Sequence, residues 1–193
     1  TMAVLSRPGF PILLLQAGLL YSAYPAFLSI APHLMVEAFG RPPTEFAYYF
    51  VFLPAGYFAG NAFVLKYGSR FGQDRLVSAG AKFAVFSCLL SILLIAMGVR
   101  HPLALFIPAG AMLNIGLGLA LPTVSARAVT QSTPHVGSGW GLVGCAQQVM
   151  AAVSVQTLGL FSADSPFPVL VLCTGSLLLV VAFEYSRRSA RGA

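Results

Sequence analysis

Only eleven Lys/Arg and five Asp/Glu residues carry charge in a chain of 193 residues, so any chemistry has to be sought among few groups. Inside the apolar runs the polar side chains are Gln16, Tyr24, Tyr57, Asn61, Asn114, Gln147, Gln148 and Gln156, and none is charged. Such groups hold a solute by hydrogen bonding but do not cleave bonds, and in lipid each needs a partner or a water-filled cavity. The acids Glu37, Glu45, Asp74, Asp164 and Glu184 all fall at the ends of runs or in the breaks. His33, one turn from the outer end of the first run, is the nearest titratable group to the interior. A histidine at headgroup level is a better expectation for it than a proton relay. Tyr24, Phe27, Tyr48, Tyr49, Phe50 and Phe52 form an aromatic set in the outer halves of the first two runs. It suits a pocket for apolar or cationic ligands and equally an interfacial belt.

Bond-breaking chemistry finds no support. The chain has no HExxH, GxSxG, P-loop or CxxC pattern, so an enzyme is not expected, nor is a cofactor or a metal. Cys88, Cys145 and Cys173 lie in apolar runs and read as small packing residues.

The elements that carry these groups follow from composition. The chain is 58% hydrophobic and 8% charged, with mean hydropathy +0.83, where soluble domains run near ~25% charged. Its solvent is therefore lipid. Six charge-poor runs, at 10–36, 46–65, 76–99, 102–126, 136–161 and 166–184, approach or exceed the length that crosses a bilayer as helix. This predicts an all-α membrane protein, a single bundle of six transmembrane helices over 1–193. Helix-stop residues mark each break, among them Gly40, Gly72 and Pro134. The short breaks predict that sequential helices pack as antiparallel neighbours.

With six crossings, Arg7, Lys66, Arg70, Arg75, Lys82, Arg127, Arg187, Arg188 and Arg191 share one side, against Arg41 and Arg100 on the other. The positive-inside rule puts the first set, and both termini, in the cytoplasm. Membrane lipid is thus the expected surrounding partner, and the net charge of +6 needs no nucleic acid to explain it. Pro25, Pro32, Pro54, Pro108 and Pro122 within the runs predict helices that bend. The Gly56/Gly60 step predicts close helix contact, as does the glycine-rich face of Gly137, Gly139, Gly141 and Gly144.

Six spans with a Gly/Arg hinge between the second and third resemble one half of a major facilitator superfamily transporter. In that superfamily the hinge reads G-x-x-x-D-R/K-x-G-R-R/K, and 61–72 with Arg70 and Gly72 is similar to its decayed second-half form. More closely, Tyr24-Pro25-Ala26-Phe27-Leu28, the stretch 46–61, Leu121-Pro122-Thr123-Val124-Ser125-Ala126, Gly137-Ser138-Gly139-Trp140 and Gly144-Cys145-Ala146-Gln147-Gln148 resemble the C-terminal half of Bcr/CflA-type drug:proton antiporters. The resemblance implies a bacterial inner-membrane carrier, moving small lipophilic or cationic solutes against protons by alternating access. It implies too that a six-helix N-terminal half, carrying the coupling carboxylate, precedes this one. Tyr24, Phe27, Tyr57, Asn114 and Gln148 would line the substrate cavity. Lys66, Arg70, Gly72 and Arg127 would form the hinge and gate. The alternative from a different class is a six-helix membrane protein without transport of its own, acting as a structural or partner-binding component.

Overall fold

The computed structural model describes residues 2–7, 9–161 and 165–192, with side chains for 4–7, 9–161 and 165–187. Asp164 and the side chains of Arg188 and Arg191 lie outside the described residues. The architecture is an all-α, six-helix bundle. A short helix, Met2–Leu5, precedes α1 (Phe10–Glu37). A 3-10 turn at Pro43–Glu45 and a short helix at Phe46–Phe50 lead into α2 (Phe52–Phe71), and α3 spans Gln73–Ala96. The short helix Leu103–Leu105 and a π-helical segment, Phe106–Met112, open onto α4 (Leu113–Gln131). α5 spans Val136–Leu158 and α6 Phe167–Gly192. Helix is what lipid demands, because it satisfies every backbone group within one segment.

Among the described residues five segments are long and apolar enough to cross a membrane by length and composition: Phe10–Glu37, Pro43–Phe71, Gln73–Ala96, Leu103–Gln131 and Phe167–Arg187. α5 has the length, but its three glutamines lower its hydropathy below that of the other five. Large apolar side chains cover the outside, Leu65 at 88% and Phe58 at 75% exposed. Only a hydrocarbon solvent makes that surface stable.

Proline placement explains how the helices stay continuous. Pro54 sits in the first turn of α2, where its missing N–H costs nothing. Pro108 falls within the π-helical segment, whose wider turn accommodates it. Pro25, Pro32 and Pro122 lie inside their helices and are half-buried. Between α2 and α3 stands one residue, Gly72, at φ 75°. With ψ 148° that backbone lies near a region essentially reserved for glycine.

Packing departs from the order of the chain. α1 packs chiefly on α5 and then on α6 and α4, while α4 packs on α3 and α2, and α3 on α6. α2 touches α3 little, and α5 hardly meets α6. The expectation that short loops make packed neighbours holds for α3 and α4 and is corrected for α1–α2, α2–α3 and α5–α6. The reason is where the small residues point. Gly80 of α3 faces Gly116 of α4 so closely that a methyl on either would come 2.6 Å from the other's carbonyl oxygen. Gly56 and Gly60 of α2 press on Ala111 and Ile115 of the same α4 rod, the close contact expected of that step. Both α2 and α3 are thus drawn to α4 instead of to each other.

The pattern has an internal repeat. α1 on α5 corresponds to α4 on α2, and α3 on α4 to α6 on α1, so moving every helix three places along maps the main contacts onto themselves. The first three helices and the last three run in opposite senses, an inverted-topology repeat.

The glycine face of α5 finds little contact within this bundle. Gly137, Gly141 and Gly144 meet nothing within 4 Å, and only Gly139 packs, against Ser132 of the preceding loop. The face stands open because α1 approaches α5 through Gly18 and Met150, on another side of the helix.

Candidate functional site

A cavity of about 230 Å³ lies between α1, α2 and α4, lined by Tyr21, Tyr24, Pro54, Tyr57, Asn114, Leu117 and Leu121. Tyr21 and Tyr24 lie three residues apart on one face of α1. Tyr57 follows Pro54 by the same spacing on α2. Asn114, Leu117 and Leu121 rise in sequence along α4, just beyond the π-helical segment. Asn114 donates its Nδ2 proton to the Gly110 carbonyl at 2.7 Å, which fixes the amide while its oxygen keeps acceptor capacity. An apolar wall with three phenols and one amide suits a small solute of low polarity or a weakly hydrated cation, through area burial and cation–π attraction.

Of the residues singled out in the sequence, Tyr24, Tyr57 and Asn114 come together at this cavity. Phe27 does not line it. It is 1% exposed and meets Phe106 edge-on at 5.6 Å. Phe46 and Tyr49 complete an aromatic cluster on Phe106, at 6.0 and 5.1 Å, so this part of the aromatic set is core packing. Tyr48 points outward at 78% exposure, as a belt residue does. Gln148 is exposed on α5, in line with Gly137, Gly141 and Gly144. His33 is also exposed.

A second polar centre closes one end of the bundle. Arg127, 7% exposed, places Nη2 2.7 Å from Asp74 Oδ1 and Nη1 3.1 Å from Glu184 Oε1. Glu184 is 2% exposed, accepts from Gln16 Nε2 at 3.2 Å and stands 3.5 Å from Arg187. Arg7 donates to the Gln131 carbonyl nearby. The network ties α1, α3, α4 and α6, and an open cleft beside it is bordered by Gln73, Asp74, Arg127, Thr130, Gln131 and Arg187. Desolvating two charges is costly, so such a pair is tolerable only with the further bonds that Asp74, Gln16 and Arg187 supply.

The placement of acids at ends and in breaks is thereby corrected for Glu184. It closes the last apolar run, yet it is among the most buried polar side chains. Nothing local signals this, because its partner Arg127 is 57 residues away. Of the remaining hinge residues, Lys66 and Arg70 are exposed and Gly72 is the junction residue. Among the described residues, no group of three or more His, Cys, Asp or Glu gathers to hold a metal. No family model matches the chain, and neither a curated protein nor a solved structure does.

Proposed function

We propose that this chain is one bundle of a two-bundle secondary transporter of the major facilitator type, moving small lipophilic or cationic solutes by alternating access. The single observation that carries the proposal is the cavity between α1, α2 and α4, where Tyr24, Tyr57 and Asn114 converge with Pro54 and the π-helical turn beside them. Transporters place their sites where helices are irregular, between inverted repeats near mid-membrane. The three-plus-three contact pattern supports the same origin.

Support for a companion bundle comes from α5. Its open stripe of Gly137, Gly141, Gly144 and exposed Gln148 is unsuited to lipid, where an unpaired amide is costly. A second bundle or a water-filled cavity on that face resolves the cost. Neither a carboxylate nor a histidine lines the described cavity. The buried carboxylate of this bundle, Glu184, is instead engaged by Arg127, and a titrating group on the companion would fit proton-coupled efflux. The excess of Lys and Arg at the Arg127 end supports an orientation with both termini in the cytoplasm.

The test is transport by inside-out vesicles from cells lacking their main efflux pumps and expressing the protein with its companion bundle. Uptake of a lipophilic cation above the empty-vector level, abolished by collapsing the proton gradient and cut about tenfold by Tyr57→Ala, is the expected result. A tenfold loss corresponds to ~1.4 kcal/mol. Uptake equal to the empty vector, from protein that is inserted and folded, would leave the non-transporting component as the better account.

A further inference from the structure

We propose that the groove between α2 and α3, at the end carrying Lys66, Arg70 and Lys82, is a binding site for one anionic phospholipid. This assignment depends on the membrane setting of the bundle and not on transport. Because α2 and α3 both pack on α4 and scarcely on each other, a trough of about 290 Å³ opens between them. Ala59 and Phe63 form one wall, Phe83 the other, and Ile115 and Leu119 the floor, with no polar side chain among them. An acyl chain fits such a trough by dispersion contact, the force left to drive association once lipid has replaced water.

Exposed cations follow the trough residues along both helices. Phe63, Lys66, Tyr67 and Arg70 follow at i, i+3, i+4 and i+7 along one face of α2. Phe63 meets Tyr67 at 5.0 Å and Phe71 at 5.9 Å, and the Lys66 ammonium lies 5.4 Å from the Tyr67 ring centre. On α3, Arg75 and Lys82 stand seven residues apart, both exposed, with Lys82 next to Phe83 in sequence. None of the four cations enters an ion pair among the described residues. The nearest acid in the chain, Asp74, is engaged by Arg127.

Phe63 and Phe71 are eight residues apart, or ~12 Å along a helix. That reach spans from headgroup level into the upper acyl region. A phosphodiester held by Lys66, Arg70 and Lys82 therefore sets its chain against Phe63 and Ala59. Basic pockets between helices at this level are suited to anionic headgroups. A companion helix is the rival occupant, but it would have to bring acids to match four unpaired cations.

Native mass spectrometry of the purified, delipidated full chain tests the proposal. Phosphatidylglycerol and phosphatidylcholine of identical acyl chains are titrated, with glycerol phosphate as a headgroup-only competitor. One phosphatidylglycerol should bind at least tenfold more tightly than phosphatidylcholine, and glycerol phosphate should not displace it. The triple variant Lys66→Gln/Arg70→Gln/Lys82→Gln should abolish the preference. Ala59→Leu, which fills the trough and keeps every charge, should weaken phosphatidylglycerol several-fold, whereas Arg100→Gln at the opposite end should not. Each variant is first checked for an unchanged melting temperature, and Ala59→Leu and the triple variant report independently. Equal binding of the two lipids, full competition by glycerol phosphate, or wild-type binding by Ala59→Leu would each overturn the assignment.

Discussion

Arg127 and Glu184 meet at 3.1 Å across α4 and α6, with 7% and 2% of their side chains exposed. Neither ion is stable there alone. Arg127→Met leaves the Glu184 carboxylate buried with only Gln16 and Arg187, and should cost about 3 kcal/mol. The double variant Arg127→Met/Glu184→Leu should regain more than half of that loss, since an apolar pair of similar size often replaces a buried ion pair without penalty. Unfolding in mixed micelles measures both. Simple additivity of the two single losses would argue against a coupled pair.

Helix crossing on α4 gives a contrast between glycines. A methyl at Gly118 would come 2.5 Å from the Tyr57 carbonyl oxygen, whereas one at Gly141 meets nothing. Gly118→Ala should therefore destabilise the bundle by about 1–3 kcal/mol. Gly141→Ala should stay within about 0.5 kcal/mol but slow transport several-fold if a companion slides on that face. Thermal unfolding and vesicle uptake together separate the two effects.

Some of this was legible in the residues and some was not. The all-helical bundle followed from composition, and Gly56 and Gly60 announced close packing because a small-residue step on one helix is a local signal. Gly137, Gly141 and Gly144 give the same signal yet stay open, because which face meets a neighbour is fixed by helix rotation. Glu184 looked peripheral because its burial is made by α1 and α4, far away in sequence. The cavity was half legible: Tyr24, Tyr57 and Asn114 converge, but Phe27 turns into the Phe106 cluster. One residue of rotation, ~100° on a helix, decides between those fates.

Phe27 and Tyr57 should accordingly respond differently. Phe27→Ala removes a fully packed ring and should cost about 3–5 kcal/mol of stability. Tyr57→Ala, at the cavity wall, should leave the melting temperature nearly unchanged while raising the apparent KM for a lipophilic cation about tenfold. The opposite assignment of effects would misplace the cavity.

At the α2–α3 junction, Gly72 is held at φ 75°. Gly72→Ala should cost about 1–3 kcal/mol from backbone strain alone, since nothing crowds an added methyl there. Differential scanning fluorimetry of the purified protein is sufficient, and an unchanged or raised melting temperature would contradict that geometry.

Alternating access itself is tested most directly by labelling the cavity from both sides. In a Cys145→Ser background, which removes the exposed native thiol, Tyr57→Cys is treated with a membrane-impermeant maleimide in right-side-out and inside-out vesicles containing the companion bundle. Labelling from each face in turn, slowed from both by a saturating lipophilic cation, is the expected result. Labelling from one face only, at a rate indifferent to the cation, would contradict it.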